Sequence, residues 1–362
     1  MTRRVLIIGG GIAGISAAAR ISPDAEVTVL ESENAIGYHA TGRSAAAFLK
    51  DYGNDTVRAL NYASANYLET HDLLSPRGML LLAKPHQFDA FTADCQELGM
   101  TQLGFDEARQ MVPILNADTC AFAAYREDVF DLDTDKMLQG FAKVARQNGA
   151  VIRCNAKVNS IVRRGRVWSI EAEEAYEADI IINAAGAWAD QIAQMAGVSL
   201  LGFQPMRRSM ARIPAPGGHD VTKWPFLHGV HDEDGVWYAK NDAGKWLVSP
   251  SEEHPMDPFD AYADDMVLAQ GLARYEQMVT EPVTRLETSW AGLRTFAPDR
   301  ALVLGRDATT PAFYWCAGQG GYGFQTAPAA SQLLADLLAG RPPQLTADVI
   351  EALSPSRFSP SH

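Results

Sequence analysis

The stretch RVLIIGGGIAGISAAARISPDAEVTVLE, residues 4–31, decides the fold of this protein. Val5 to Ile8 is short, wholly apolar and partly β-branched, which is typical of a parallel strand covered on both faces. Beyond the glycines, the alanine-rich run Ile15 to Ile21 predicts a helix, and Glu26 to Leu30 predicts a second strand. The chain is therefore expected to open with a strand, a helix and a second strand.

The glycines between the first strand and the helix follow the spacing G-x-G-x-x-G, at Gly9, Gly11 and Gly14. They would allow a tight turn, close approach of the backbone to a pyrophosphate, and close packing of helix on strand. The pyrophosphate would lie at the helix N-terminus, where unpaired N–H groups stabilise negative charge, and Glu31 would bind the ribose hydroxyls. A glycine-rich turn occurs in many proteins, but the complete order of elements predicts a dinucleotide site. The pattern alone leaves FAD and NAD open.

Bulk composition argues against several classes of partner. With 362 residues and 47% hydrophobic side chains, the chain can bury a large core and is expected to form about two domains. Its net charge of -13 repels nucleic acid and anionic lipid surfaces. Cys95, Cys120, Cys154 and Cys316 stand far apart without a C-x-x-C pair, so we expect reduced thiols and no metal site.

The first residues share features with a secretory signal, since Arg3 and Arg4 precede an apolar stretch. Adjacent glycines would break the helix of such a signal, whereas a strand followed by a glycine turn accounts for all of them. We therefore expect cytoplasmic residence. No later run approaches the roughly 20 apolar residues that span a bilayer.

The region 48–144 carries no dinucleotide signature and is interpreted as an insertion that leaves the first domain. Its pattern predicts a helix near Thr56 to Glu69, the strand Met79 to Ala83, and an amphipathic helix near Thr134 to Asn148. Strand patterns that would complete the nucleotide-binding sheet then follow at Val151 to Arg153, Val167 to Ala172 and Asp179 to Ala184.

The rest of the chain divides into two parts. From Gly202 to about Ser289 it is rich in aromatic residues and turn signals, which predicts a mostly antiparallel sheet. The strand Phe313 to Ala317 then leads to a glycine loop and a helix from Ala327 to Leu338, which ends before Gly340.

Three further segments favour FAD over NAD. TGRSAAA, Thr41 to Ala47, predicts a second small-residue helix that offers backbone donors and Arg43 beside a long two-part cofactor. NAAGAW, Asn183 to Trp188, predicts a glycine turn under the same nucleotide. GQGGYGFQT, Gly318 to Thr326, predicts a glycine loop at a helix N-terminus, whose N–H groups suit the negative N1–C2=O side of a reduced flavin.

The predicted fold class is α/β (α+β overall), with a Rossmann-like FAD-binding domain and a second, mostly antiparallel β substrate domain. The FAD-binding domain is expected to be discontinuous, comprising residues 1–47, 145–197 and 290–362. The substrate-binding domain would comprise residues 48–144 and 198–289.

These segments resemble the D-amino acid oxidase and glycine oxidase (DAO) superfamily of FAD-dependent oxidoreductases, and most closely the bacterial FAD-dependent D-arginine dehydrogenases. The similarity runs over nearly the whole chain and includes IIGGGIAG, GYHATGRSAA, LLSPR, INAAGAWAD, QPMRRS, SWAGLRTF, QGGYGFQT and LSPSRFSP. Taken with the glycine motif, it implies that FAD is bound by Gly9, Gly11, Ala13, Gly14, Glu31, Ser32, Ala40, Thr41, Gly42, Arg43, Ser44, Ala45, Ala46, Ala47, Val158, Gly186, Gly320, Gly321, Tyr322, Gly323, Phe324 and Gln325. No histidine or cysteine is placed so as to require a covalent flavin link, so FAD is expected to be non-covalent.

The resemblance also implies a substrate site. Arg208 of QPMRRS and Arg294 of WAGLR would clamp a substrate carboxylate, helped by the Tyr238 hydroxyl. Tyr52 would cover the site, and the Gly321 carbonyl would accept a hydrogen bond from the substrate amine. A lone arginine is usually a solvated surface charge, but the apolar neighbours of Arg294 predict that it is partly buried and needs an anion.

Departures from the D-arginine enzymes predict a different substrate side chain. Those enzymes place a glutamate for the guanidinium soon after LLSPR, whereas this chain has Gly78 and Met79 there. Two polar positions after the TGRSAA run are replaced by Ala47 and Leu49. We therefore expect a neutral or hydrophobic side chain, or a small cyclic imino acid, and we expect a carboxylate grafted at Gly78 to raise activity on cationic substrates.

Phe226 and His228 are expected to line the far wall of the pocket. His228 is the one histidine considered for catalysis, as an acceptor of the ammonium proton or as a polar wall, but its pattern favours a structural role.

The expected reaction is oxidative deamination of a D-amino acid by hydride transfer from the substrate Cα to flavin N5. The imino acid would hydrolyse to a 2-oxo acid and ammonia, and oxygen, a quinone or another carrier would accept the electrons. Two alternatives stay open: a glycine or sarcosine type of amine oxidase, and a flavin-holding subunit that needs a partner.

Overall fold

The computed structural model describes residues 2–358. The strands are β1 Arg4–Ile8, β2 Glu26–Leu30, β3 Ala47–Phe48, β4 Leu74–Pro76, β5 Met79–Ala83, β6 Thr101–Leu103, β7 Phe122–Arg126, β8 Phe130–Leu132, β9 Val151–Arg153, β10 Ser160–Arg164, β11 Val167–Glu171, β12 Ala175–Ala178, β13 Ile180–Asn183, β14 Gln204–Ile213, β15 Phe226–Gly229, β16 Tyr238–Asp242, β17 Lys245–Ser249, β18 His254–Pro255, β19 Thr288–Phe296, β20 Val303–Arg306 and β21 Phe313–Ala317. The helices are α1 Ile12–Ile21, α2 Asp55–Thr70, α3 Phe88–Glu97, α4 Phe105–Met111, α5 Thr134–Gln147, α6 Ala189–Met195, α7 Asp265–Gln277, α8 Gly323–Ala339 and α9 Ala347–Leu353.

The first sheet has six strands in the order β20-β21-β13-β1-β2-β9, and β1 lies inside it. β1 pairs in parallel with β2 and with β13, and β13 pairs in parallel with β21. The predicted opening unit is confirmed, because β1 and β2 flank α1 and the glycines connect β1 to α1. An inner parallel strand is covered on both faces, which is why the β1 run is wholly apolar.

One predicted strand belongs to a different sheet. The expectation that residues 167–172 complete the parallel sheet is wrong, because β10, β11 and β12 form a separate antiparallel sheet. In β11, buried Trp168 and Ile170 alternate with more exposed neighbours, which suits a sheet with one solvated face. β9 and β13 are the segments that extend the parallel sheet.

The second large sheet has nine strands and follows the path β18-β14-β17-β16-β15-β5-β7-β6, with β19 also pairing with β14. All its pairings are antiparallel except β15 with β5. A mixed α/β fold with a mostly antiparallel second sheet is therefore confirmed. The sheet joins β5, β6 and β7 from region 48–144 to strands near residues 204–296.

The division into two domains stays a prediction, and packing suggests how to refine it. Side chains of α2 and α5 share one hydrophobic core with α1 and α8 beside the parallel sheet. β19 pairs with β14 along the whole length from Thr288 to Phe296. We therefore propose that α2 and α5 belong to the cofactor domain and β19 to the substrate domain.

The segment Thr41 to Ala47 is not a helix, contrary to the expectation. It starts within a single 3-10 turn, Ala40–Arg43, continues as extended chain and ends at β3. The carbonyl groups of Ala45 and Ala46 accept hydrogen bonds from the buried Lys240 ammonium at 2.8 and 3.3 Å, and β3 pairs with β8. These tertiary contacts outweigh the helix propensity of the alanines.

The helix α8 begins at Gly323, four residues before the predicted Ala327, and its first turn therefore contains part of the glycine loop. It ends as predicted at Gly340, whose φ of 70° allows the left-handed C-cap. Within residues 2–358, no helix combines the length and apolarity needed to cross a membrane.

Candidate functional site

A cavity of about 590 Å³ lies between the parallel sheet and the antiparallel sheet. The loop after β1, the segment 40–47, the turn after β13 and the glycine loop before α8 line one part of it. Strands β5, β14, β15, β16 and β19 supply the other part. The cavity thus brings together segments that are far apart in the sequence.

The three glycines of the motif have different tasks. A Cβ at Gly9 would overlap the Ala184 carbonyl, and Gly9 has a φ of 112°. A Cβ at Gly14 would overlap the carbonyl oxygen of Gly9. These two glycines therefore allow close packing, whereas Gly11 lines the cavity itself.

The N-termini of α1 and α8 both open on the cavity. First-turn N–H groups have no acceptor inside a helix, and in α1 only that of Ile12 has a side-chain acceptor among the described residues, the Thr41 hydroxyl at 3.0 Å. In α8, Gly323, Phe324 and Gln325 form the first turn and line the cavity. Two helix N-termini therefore supply N–H groups and positive dipole ends to one space, which suits the phosphates and the anionic flavin edge of FAD.

Buried polar atoms of the cavity wall also lack partners. Gln325 Nε2 and Thr295 Oγ1 are buried without a hydrogen-bond partner among the described residues, and both residues line the cavity. Buried polar groups in proteins are nearly always hydrogen-bonded, so these two atoms fit a polar ligand that occupies the cavity. The residues present therefore suit FAD.

Most of the residues predicted to bind FAD lie on the cavity. Those that line it are Gly11, Ala13, Ala40, Thr41, Arg43, Ser44, Ala45, Ala46, Ala47, Gly186, Gly320, Gly321, Tyr322, Gly323, Phe324 and Gln325. The other predicted residues do not line the cavity; they are Gly9, Gly14, Glu31, Ser32, Gly42 and Val158. Direct contact of the second group with FAD stays a prediction.

Glu31 is buried behind the glycine turn. One carboxylate oxygen accepts the Gly10 N–H at 2.7 Å, and the other accepts from the Ser32 hydroxyl at 3.1 Å and from the Glu33 N–H at 2.9 Å. These bonds hold the turn against the end of β2. Binding of the ribose hydroxyls by Glu31 stays a prediction.

The Arg43 guanidinium is engaged away from the cavity. It donates to the carbonyl groups of Ala261 and Ala291 at 2.8 and 2.9 Å, and it pairs with Asp260. The side chain therefore ties the segment 40–47 to the neighbouring strand and loop. Arg43 still lines the cavity, but these guanidinium contacts are made to protein groups outside it.

Arg208 and Arg294 lie on one face of neighbouring strands. Arg208 is paired with Gly292 across β14 and β19, and Met206 is paired with Arg294, so the two arginines are diagonal neighbours. Both line the cavity. Arg207 points to the opposite face, where it lies 3.8 Å from Glu252.

The two arginines differ in their partners. Arg208 is buried and donates to the Glu252 carbonyl and to the Ser251 hydroxyl, both at 2.8 Å, and its burial and the adjacent Arg294 charge lower its pKa. Among the described residues, the Arg294 guanidinium has no hydrogen-bond or ion-pair partner. A cation in a cavity wall without a counter-ion is a ready partner for a carboxylate.

Tyr238, Tyr52 and Gly321 surround the arginine pair. Tyr238 is buried, and its hydroxyl lies 3.3 Å from the Met210 sulfur. Tyr52 is 41% exposed and packs edge-on against Tyr322, and its role as a cover of the site stays a prediction. All three predicted residues line the cavity.

His228 lines the cavity beside Phe226. Burial lowers the pKa of His228 to about 4, and the neighbouring His231, with ring centres 5.1 Å apart, acts in the same direction. His231 binds Asp94 at 3.1 Å, which raises the pKa of His231. His228 is therefore neutral near pH 7, and its buried Nδ1 has no partner among the described residues.

The end of the cavity near Phe226 is mostly apolar, with His228, His231 and Tyr238 as the polar residues beside Phe226. Its apolar side chains are Leu49, Met79, Leu98, Val129, Met210 and Phe226. Sequence reasoning did not identify Met210, although it lies two residues after Arg208 in β14 and therefore on the same face. Leu98, Val129, Glu253 and Arg300 come from loops and had no sequence signal.

Gly78 is not among the residues that line the cavity, so the structure does not favour a carboxylate graft there, and the effect of such a graft stays a prediction. Gly78 has a φ of 69°, and a Cβ there would overlap the Tyr125 hydroxyl. The neighbouring Met79 is the residue of this segment that lines the cavity.

Comparisons with known proteins agree with this architecture. The family model for FAD dependent oxidoreductases (DAO) matches residues 4–337. The chain is 26% identical to the tRNA 5-methylaminomethyl-2-thiouridine biosynthesis bifunctional protein MnmC of Thiobacillus denitrificans, over 99% of this chain and 60% of that protein. This chain therefore spans about 60% of the length of that relative.

Solved structures share the fold at low sequence identity. L-proline dehydrogenase from P. horikoshii superposes with a TM-score of 0.81 at 21% identity, over 99% of this chain and 98% of that chain. Glycine oxidase from Geobacillus kaustophilus superposes with a TM-score of 0.80 at 20% identity, over 98% of each chain. Together with the family match over most of the sequence, the glycine-lined cavity and its two helix N-termini lead to one conclusion: the chain belongs to the DAO family of FAD-dependent oxidoreductases.

Proposed function

We propose that this protein oxidises the Cα–N bond of an amino acid with a neutral or hydrophobic side chain, or of a small cyclic imino acid, and that it acts on the D-enantiomer. The observation that carries the proposal is the Arg294 guanidinium, which lines the cavity beside Arg208 without a partner among the described residues. Two adjacent guanidinium groups fix both the position and the plane of a substrate carboxylate.

The cofactor would lie along the glycine-lined part of the cavity. Gly11 and Ala13 at α1 would face its pyrophosphate, and Gly323 to Gln325 at α8 would face its flavin. When bound, FAD would supply a two-electron oxidation. The protein would bind the acid, exclude water and hold the amine near the Gly321 carbonyl, and the amine must be neutral for its Cα–N bond to be oxidised.

The side-chain preference follows from the apolar end of the cavity. Among the described lining residues, Glu253 is the one carboxylate, and it lies beside Arg208 and Arg300. A cationic substrate side chain would find no counter-ion between Met79 and Phe226, so its desolvation would be costly. We therefore propose that this protein shares the acid clamp of the D-arginine dehydrogenases, which it resembles, and does not share their recognition of a guanidinium.

The oxidised product would be an imino acid, which water converts to a 2-oxo acid and ammonia. Oxygen, a quinone or another carrier would take the electrons, and we propose cytoplasmic residence and a non-covalent FAD. None of the cysteines lines the cavity, which supports non-covalent binding. Acid precipitation should then release all flavin into the supernatant.

Two other functions are outcomes of the same test. A glycine or sarcosine type of amine oxidase would use the same arginine pair with a smaller or N-substituted substrate. A flavin-holding subunit would bind FAD but need a partner for activity, which is a consideration because the chain matches only part of a bifunctional relative.

The test uses the purified FAD-loaded protein under anaerobic conditions and a panel of D-, L- and N-methyl amino acids. Bleaching of the flavin band by D-amino acids with apolar side chains is the expected result. Bleaching only by N-methyl amino acids or glycine would favour the amine oxidase, and bleaching only by L-amino acids would overturn the stereochemical assignment. Failure of every compound in the panel would favour the subunit.

A further inference from the structure

Glu253 is placed where it can compete with a substrate for Arg208. Its Oε1 lies 3.3 Å from Arg208 Nη2, and its Oε2 accepts a hydrogen bond from Arg300 Nη2 at 2.8 Å. All three residues line the cavity, and the Glu253 side chain is 34% exposed. One carboxylate therefore bridges a buried arginine and an arginine near the surface.

Each guanidinium nitrogen of Arg208 already has an acceptor. Nε donates to the Glu252 carbonyl and Nη1 to the Ser251 hydroxyl, both at 2.8 Å. Ser251 is held in a left-handed conformation, with a φ of 58°, and its N–H donates to the Ser249 hydroxyl. The contact to Glu253 is the longest of the three and comes from the end of a flexible side chain, so it is the contact that a second carboxylate would displace.

Arg300 is fixed in a position to keep Glu253 after such a displacement. The guanidinium carbon of Arg300 lies 3.8 Å from the centre of the Phe296 ring. The backbone carbonyl of Arg300 accepts a hydrogen bond from the Asn54 side-chain amide at 3.2 Å. The backbone N–H of Arg300 donates to the Ala297 carbonyl at 2.9 Å. The pair of Glu253 with Arg300 therefore needs no rearrangement of the backbone.

We propose that Glu253 competes with the substrate carboxylate for Arg208. In the substrate-free protein Glu253 pairs with Arg208, and when an acid binds, Arg300 retains Glu253. This inference rests on the proposed function, in which Arg208 and Arg294 hold a carboxylate. Glu253 acts only on binding, so it raises KM and leaves kcat unchanged. It also keeps a counter-charge beside Arg208 while the cavity lacks an acid, which lowers the cost of burying that cation.

The experiment measures the dissociation constant of benzoate, an unreactive acid, on the FAD-loaded protein by calorimetry. We expect Glu253→Gln to tighten binding about two- to fivefold, the range for a partly exposed ion pair. Glu253→Asp keeps the charge but is one methylene shorter, so it should lose the Arg208 contact and tighten binding as well. Glu177→Gln removes an exposed glutamate that pairs with Arg4 far from the cavity, and it should change nothing.

A double-mutant cycle isolates the role of Arg300. Asparagine is chosen to replace Arg300 because it tolerates the left-handed conformation of this position, where φ is 62°. We expect Arg300→Asn to weaken benzoate binding about threefold when Glu253 is present and to have a much smaller effect on the Glu253→Gln background.

The outcomes separate this inference from the proposed function. Tighter binding in Glu253→Gln with no change in Glu253→Asp would mean a simple effect of net charge, and no change in either would mean no competition; both results overturn the inference. If the wild-type protein and an Arg294→Met variant bound benzoate equally, the proposed carboxylate site itself would be wrong, whatever the Glu253 variants showed.

Discussion

Arg207 and Arg208 are adjacent in sequence but serve opposite faces of β14. Arg208 reaches the cavity and the Ser251 hydroxyl, whereas Arg207 lies behind the strand near Glu252 and Asp264, at 3.8 and 3.5 Å. Successive side chains of a strand alternate between its two faces, so only one residue of the pair can meet a ligand there. The register of β14 with β19 then places Arg294 on the same face as Arg208.

Replacing Arg294 with methionine should abolish the acid clamp without loss of the fold. Arg294 has no protein partner among the described residues, so its removal leaves no buried group unsatisfied, while the substrate loses charge-assisted hydrogen bonds. We expect benzoate binding and kcat/KM to fall about tenfold to a hundredfold. Arg163→Met removes the same charge at an exposed position, and an equal loss in both variants would show a long-range effect of charge.

The motif glycines should respond differently to alanine. Gly14→Ala places a Cβ on the Gly9 carbonyl, so we expect the free energy of unfolding of the apoprotein to fall by about 1–3 kcal/mol, with loss of FAD binding. Gly11→Ala places a Cβ 3.1 Å from the Thr41 hydroxyl, at the cavity wall. It should weaken FAD binding with a smaller change in stability. Urea unfolding and FAD titration measure the two effects, and equal destabilisation by both variants would contradict the assignment.

A carboxylate at Met79 should redirect side-chain preference. Met79 lines the apolar end of the cavity and pairs with Phe226 across β5 and β15, so Met79→Glu would supply the counter-ion that a cationic substrate lacks. We expect the ratio of kcat/KM for lysine or arginine over that for a neutral amino acid to rise at least about tenfold. Met79→Gln is the uncharged control, and the same rise in that variant would mean that charge is not the cause.

Gly78→Glu is expected to fail as a graft. The added Cβ would overlap the Tyr125 hydroxyl at a φ of 69°, so the free energy of unfolding should fall by about 1–3 kcal/mol with no change in specificity. Preserved stability together with a new preference for cationic substrates would show that the segment 76–79 is placed differently.

His228 should destabilise the protein in acid. Its folded pKa of about 4 lies below its ordinary value, so the unfolded chain binds more protons between pH 6.5 and pH 4, and stability falls as the pH drops through that window. The shift of the His228 pKa from its ordinary value to about 4 sets an upper bound of about 3 kcal/mol on this loss. In His228→Leu this component should be absent, so urea unfolding at pH 7 and pH 4.5 should show a smaller acid effect than in the wild type. An equal acid effect would mean that His228 is protonated without cost.

His231 contributes with the opposite sign. Its hydrogen bond to Asp94 raises its folded pKa, so the stability it adds is present below its ordinary pKa and is lost as the pH rises through the raised value. Because the two histidines change stability in opposite directions with pH, the wild type and His228→Leu must both keep His231 and Asp94 when their unfolding is compared.

Sequence alone predicted the elements whose pattern is local. A dinucleotide turn is predicted by three local features: the apolar run of β1, the spacing of Gly9, Gly11 and Gly14, and the end of β2 at Leu30. The segment Thr41 to Ala47 shows the limit of such reasoning, because its alanines favour a helix while Lys240, a residue distant in sequence, holds its carbonyl groups in an extended chain.

What the sequence determined by itself is therefore the nucleotide-binding fold, because periodicity and glycine spacing are properties of short segments. Its resemblance to the DAO family then supplied the family and many of the residues that line the cavity. Only the tertiary structure decided that Gly78 packs against Tyr125 outside the cavity lining, that Arg43 is engaged elsewhere, and that Glu253 and Arg300 reach the cavity. These facts depend on strand register and on loops that meet across the antiparallel sheet, and no local pattern encodes the distance between two side chains far apart in the chain.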